Sequence, residues 1–209
     1  MFRQTIITTL LFIMLFSLIG IAYAVWSDTL KINTSVGMGE LDWEFSPGSV
    51  IQLDTCAYPV PDYNASYFPS TGSIQTNKDV GCTELILIDS DGDGDYDTLN
   101  VTMYNVYPWY YEHIAFALHN DGTIPLKVWR AIINGNIYYE IDVLDLDLNG
   151  DGKPDLHIWW GNNFGAQIDP CNSADLSFDL TVLQDAPENS TLSFTISLEA
   201  IQWNEYYVP

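Results

Sequence analysis

Two nine-residue stretches of this chain place oxygen-bearing side chains at alternate positions, with Lys153 the one exception. They are Asp89-Ser90-Asp91-Gly92-Asp93-Gly94-Asp95-Tyr96-Asp97 and Asp147-Leu148-Asn149-Gly150-Asp151-Gly152-Lys153-Pro154-Asp155. Calcium takes six to eight hard oxygen ligands at adaptable geometry, and a D-x-[DN]-x-[DN]-G loop supplies them. Asp89, Asp91 and Asp93 fill positions one, three and five of the first loop; Asp147, Asn149 and Asp151 fill them in the second. Gly94 and Gly152 stand at position six, where the chain must turn sharply. At position seven, Asp95 and Lys153 would offer backbone carbonyls. At position nine, Asp97 and Asp155 would reach the ion directly or through water. Without a cation, carboxylates packed this closely repel one another. A solvated acidic turn is the competing reading, since Asp and Gly are common turn residues. Two matched copies tell against it.

These are expected to be structural calcium sites. A sensor loop of the helix-loop-helix type carries a bidentate Glu at position twelve. Here that position is Asn100 in one loop and Ile158 in the other. Extracellular calcium modules bind at ~10⁻⁴–10⁻³ M, and the role expected here is to rigidify. The cation also answers the charge balance. There are 28 Asp and Glu against 6 Lys and Arg, a formal net charge of −22. Such a surface repels nucleic acid and anionic membranes, so neither is an expected partner.

Other chemistry has little footing. The histidines are His113, His119 and His157, and there is neither H-E-x-x-H nor G-x-S-x-G. Glu112-His113 reads as a strand-edge pair, and no carboxylate pair stands out for glycoside hydrolysis. The chain is therefore expected not to be an enzyme. Tyr107, Trp109 and Tyr110, in the run YNVYPWYY, offer either a sugar-stacking platform or core packing.

The elements that must position these loops read as strands. Alternating apolar and polar residues recur at 30–36, 39–45, 84–88, 99–106, 113–118, 126–133, 137–144, 156–160, 176–183 and 191–203. Asn134-Gly135 between two apolar runs marks a hairpin. With 47% hydrophobic residues the chain has material for a core, and no helical periodicity appears after the leader. The expected fold is all-β, a jelly-roll-like β-sandwich. Residues 47–78, rich in Pro, Ser, Asn and Tyr, read as a long surface excursion.

The start of the chain reads as an export signal. Arg3 precedes an apolar run over 6–21, and Ala22-Tyr23-Ala24 is a small-x-small cleavage site. The expected organisation is a signal peptide over 1–24, a strand-like extension over 25–36 and a sandwich domain over 37–209. If uncleaved, the leader would be a membrane anchor. An exported chain tends to oxidise its cysteines. Cys56, Cys82 and Cys171 allow three single pairings, of which Cys56 with Cys82 is preferred because the pair closes the irregular stretch. Sequons at Asn33, Asn64, Asn100 and Asn189 are glycosylation candidates.

Two groups of residues carry a family resemblance. The first is Ala22 to Phe45, with Trp26-Ser27-Asp28-Thr29 and Gly39-Glu40-Leu41-Asp42. The second is Asn105-Val106-Tyr107-Pro108-Trp109-Tyr110, followed by Ala115-Phe116-Ala117-Leu118-His119-Asn120-Asp121-Gly122-Thr123-Ile124-Pro125-Leu126-Lys127-Val128. Together they resemble the TasA/camelysin-like family of secreted filament proteins, and in general look its archaeal members that form bundling pili. Trp109 stands where the family usually has Gly. The resemblance implies a jelly-roll subunit that polymerises outside the cell by giving its N-terminal strand to a neighbour's sheet. The segment 25–36 is physically compatible with that role, since an extended strand gains main-chain bonds on an open sheet edge. Leu30, Ile32 and either Val36 or Ser35 are the candidates for its filling face. A head-to-tail contact of this kind does not close, so it makes fibres. The alternative is a monomeric, calcium-stabilised secreted module that binds glycans or another cell-surface group. Protease activity, linked to camelysin-like names, is not expected without a metalloprotease motif.

Overall fold

The computed structural model describes residues 2–22, 34–66, 72–140, 142–161 and 163–209. By contact the chain divides into Met1–Gly37 and Met38–Pro209. The first unit holds helix α1 (Phe2–Ala22). Its described side chains end at residue 16. Among the described residues, no helix is long and apolar enough to cross a membrane.

The second unit is an all-β sandwich of two antiparallel six-stranded sheets. Sheet A contains β1 (Glu44–Phe45), β2 (Ile51–Gln52), β7 (Tyr111–His119), β10 (Val143–Leu146), β11 (Leu156–Trp160) and β13 (Ser173–Val182). Sheet B contains β5 (Cys82–Ile88), β6 (Thr98–Tyr104), β8 (Leu126–Ile133), β9 (Asn136–Tyr139), β12 (Gln167–Ile168) and β14 (Leu192–Gln202). In sheet A the order is β1-β7-β13-β11-β10, with β2 also on β7; in sheet B it is β12-β8-β14-β6-β5, with β9 also on β8. A small hairpin, β3 (Tyr63–Ala65) with β4 (Ser73–Gln75), stands apart. The chain crosses between sheets after β6, β7, β9, β11, β12 and β13, so strands adjacent in sequence often face each other across the core. This is the layout expected of a jelly-roll-like chain.

Period two builds the core. On β7, Ile114, Phe116 and Leu118 point inward; on β13, Leu176, Phe178 and Leu180 do the same, and Ile114 stands opposite Phe178. Sheet B answers with Leu99, Val101 and Met103 of β6 and Phe194, Ile196 and Leu198 of β14. Trp160 stacks on Phe178 at 5.1 Å, and Phe116 meets Phe45 and Phe178 edge-on. Each buried ring contributes about 1.5–3 kcal/mol relative to exposure.

Most strand expectations hold to within a few residues, and 126–133 and 156–160 coincide with β8 and β11. The Asn134-Gly135 hairpin is present, with positive φ at both residues. Three expectations need correction. The run 137–144 is two strands in different sheets, because Glu140 takes a left-handed φ of 45° and the chain crosses over there. In 39–45 only Glu44–Phe45 forms a strand, because residues 40–42 bond a turn instead of a ladder. The excursion 47–78 is not purely superficial: Asp54 and Asp62 within it are buried. Of the extension, Leu30, Ile32 and the sequon residue Asn33 lie outside the described residues. Val36 is described, exposed and in no strand.

Candidate metal centre

Both acidic loops are hairpin connections, and they leave their strands at equivalent points. Ile88 pairs with Thr98 around the first; Leu146 pairs with Leu156 around the second. The first lies between β5 and β6 at an edge of sheet B, the second between β10 and β11 at an edge of sheet A.

Their internal hydrogen bonds match position by position. Asp89 accepts the amides of Gly92 at 2.6 Å and Gly94 at 3.1 Å. Asp147 accepts those of Gly150 at 2.6 Å and Gly152 at 2.7 Å. Asp91 accepts from Asp93 N and Asp93 from Asp95 N; Asn149 accepts from Asp151 N and Asp151 from Lys153 N. At position nine, Asp97 takes the amide of Ser90 at 3.0 Å and Asp155 that of Leu148 at 2.8 Å. Positions four and six are glycines with positive φ in both loops, from 78° to 112°. That left-handed backbone suits glycine and turns the carboxylates toward one centre.

The loops differ in readiness for an ion. Asp89, Asp91 and Asp97 each bring a carboxylate oxygen within 4.8 Å of the others, the one such acidic grouping among the described residues. In the second loop Asp155 is fully buried, and its oxygens are taken by Leu148 N, Asn149 N and the Asn149 side-chain amide. That amide nitrogen stands against a carboxylate oxygen that a cation would need. Asp89, Asp91 and Asp97 are thus grouped closely enough to hold a metal ion, whereas the acids of the second loop are not grouped in this way. The position-seven residues, Asp95 and Lys153, donate their amides inward, and Lys153 Nζ pairs with Asp185 at 3.1 Å.

Charge in the first loop is unbalanced. The Asp93 amide pulls the Asp91 carboxyl down, but desolvation and the Asp93 and Asp97 charges outweigh it and leave the carboxyl raised. Asp95 is raised by desolvation and by Asp42, Asp93 and Asp121. Asp97 is lowered despite desolvation, through the Thr98 and Ser90 donors. Asp147 is lowered, foremost by the Gly152 amide. The focus thus extends beyond the loop to Asp42, Glu44 and Asp121, with Glu44 raised by desolvation, Asp121 and Asp95. Spacing within the loop gave no sign of these three.

The other candidate residues fall as follows. Cys56 and Cys82 form a disulfide with a Cα separation of 5.0 Å, and Cys171 is exposed and free. Of the sequons, Asn189 is exposed in a turn, Asn64 accepts the Tyr107 hydroxyl at 3.0 Å, and Asn100 lies half-buried on β6. Tyr107, Trp109 and Tyr110 do not make an open platform. Tyr110 is fully buried and donates its hydroxyl to Asp54 at 2.9 Å; only Trp109 is exposed, at 40%. His113 points outward to Asp179 at 2.6 Å while Glu112 points into the core, so the dipeptide is not a dyad.

The segments that carry the family resemblance meet in space. Gly122 N donates to Asp42 O at 3.1 Å, Thr123 N to Glu40 O at 2.9 Å, and Glu40 N to Thr123 Oγ1 at 2.8 Å. Trp109 has a left-handed φ of 75°. Compared with known proteins, the chain matches no family model, no curated protein and no solved structure.

Proposed function

We propose that this chain is a structural subunit of an extracellular filament, stiffened by calcium in its two acidic loops and not an enzyme. The observation that carries the reading is the union of Gly39–Asp42 with the Asp121–Thr123 turn. Two segments that resemble secreted filament proteins, about 80 positions apart, are joined by three hydrogen bonds. A glycine conformation at Trp109 supports the same likeness. The proposed polymerising element is the segment 25–36, with Leu30, Ile32 and Val36 on its filling face, and the proposed partner is a second copy. Calcium would be held by the carboxylates of the first loop and by the matched set of the second. There it would supply rigidity and neutralise charge in a polymer of strongly acidic subunits, the full chain having a formal net charge of −22 and the leader removing only Arg3.

Electron microscopy of purified mature protein tests the reading. Long fibres are expected with calcium, and their loss is expected on deletion of 25–36. Monodisperse monomer with and without that segment overturns the filament and returns the chain to the calcium-stabilised binding module.

A further inference from the structure

One side of the sandwich is closed by a seam that contains buried carboxylates where the strand pattern calls for apolar residues. Glu112 lies on β7 with the inward parity of Ile114, Phe116 and Leu118, and it is fully buried. The β2–β7 ladder stops at Gln52 opposite Ile114. Beyond it the Glu112 carboxyl replaces the next strand carbonyl. Its Oε1 accepts Leu53 N at 2.6 Å and His113 N at 2.9 Å, and its Oε2 accepts Asp54 N at 3.1 Å. The chain then crosses to sheet B. Thr55 bridges Thr83, Cys56 N donates to Thr83 O at 3.1 Å, and the Cys56–Cys82 disulfide follows.

Asp54 sits in the middle of this crossing at 1% exposure. Its Oδ2 accepts the Tyr110 hydroxyl, which also stands 3.3 Å from Thr83 Oγ1. Its Oδ1 is buried with no hydrogen-bond partner. A third buried carboxylate, Asp62, accepts the amides of Val80 at 2.8 Å and Gly81 at 3.3 Å. The groups facing Asp54 are Tyr107, Tyr110, Asp62, Asp79 and Glu112; those facing Glu112 are Asp54, Tyr110, Tyr111 and His113. No Lys or Arg among the described residues pairs with any of the three carboxylates. Two buried anions with no countercharge are costly in a low-dielectric seam, and a proton is the cheapest remedy.

We propose that residues 51–56 form a pH-sensitive latch on this seam, closed while Glu112 and Asp54 carry protons and loosened when both are ionised. Burial raises Glu112 to about 8, against the three amides that favour its anion, and raises Asp54 to about 6. Both groups are raised in the folded state. Their contribution is therefore complete below the ordinary carboxyl range and is lost as pH rises through about 6 and then about 8. The opening is local, because apart from its hydrogen bonds to Glu112, Tyr110 and Thr83 the segment 51–56 is tied to the sheets by two ladder residues, one bridge and the disulfide.

Hydrogen exchange on the full mature chain, corrected for intrinsic rates, tests the latch between pH 5 and 9. Protection at Leu53, Asp54 and Cys56 is expected to fall by up to about tenfold per pH unit for each proton lost, while the β7–β13 ladder holds. Glu112→Gln is expected to remove the upper part of this fall, and Asp54→Asn the lower. Carboxyl ¹³C shifts of the wild type give a readout that needs no variant. Flat protection at 53–56, a fall shared equally by β7–β13, or titration of Glu112 below pH 5 would each overturn the proposal.

Discussion

The amide of Gly122 donates to the carbonyl of Asp42 across 3.1 Å, joining the entrance of the sandwich to the turn after β7. A Cβ at residue 122 would stand 2.6 Å from Glu40 O and 2.7 Å from Asp42 N. Both are backbone atoms, so the segment itself must move. Gly122→Ala is expected to cost about 1–3 kcal/mol and to raise hydrogen exchange at Gly122 and Thr123. Equal melting temperatures for variant and wild type would show that the contact is dispensable.

Trp109 holds a backbone conformation that L-residues avoid, at a cost of roughly 1–2 kcal/mol. Replacing it by Gly or by Ala removes the same ring but only Gly relieves the backbone. Trp109→Gly is therefore expected to be more stable than Trp109→Ala by about 1 kcal/mol, measured by denaturant midpoint. The opposite order would mean the turn relaxes once the indole is gone. Glycan binding that drops in either variant would favour the binding-module alternative.

The two acidic loops should not respond alike to calcium. A single site filled at a hundredfold excess over Kd stabilises by ~2.7 kcal/mol, about 5–10 °C in a domain of this size. Asp89→Asn, which breaks the grouped set of Asp89, Asp91 and Asp97, is expected to abolish most of the calcium-dependent rise in Tm. Asp147→Asn is expected to abolish less, because the Asn149 amide already occupies Asp155. No difference in Tm between calcium and chelator in the wild type, with no bound calcium by native mass spectrometry, would remove the metal centre altogether.

The Cys56–Cys82 bond closes a separation of 26 residues. In the chain-entropy model a loop of that size is worth about 3.5 kcal/mol. The double variant Cys56→Ser with Cys82→Ser is expected to lose about that much, read by urea denaturation. A loss below about 1 kcal/mol would show that the bridge and ladder hold residues 51–56 unaided.

The apolar runs were enough to identify β8 and β11 residue for residue, because both lay Leu, Ile or Val side chains against the core. They also located the loops between strands, and the spacing of Asp, Asn and Gly determined their internal geometry, since the bonds from loop amides to loop side-chain oxygens reach only two to seven positions along the chain. Alternation ran through Glu140 without a break, because a left-handed residue leaves no mark in a hydrophobic pattern. The short β12 and the β3–β4 hairpin were below the length at which a period can be read. Glu112 did leave a signal, a carboxyl in register with Ile114, Phe116 and Leu118, but its partners Leu53 and Asp54 are nearly sixty positions away. Only the tertiary structure could decide that this acid closes a seam, that Asp42 and Asp121 share a field with Asp95, and that Tyr110 is core and not surface. Those relationships depend on which strands cross between sheets. Local spacing determines turns and faces, whereas burial and charge proximity belong to segments brought together by the whole core.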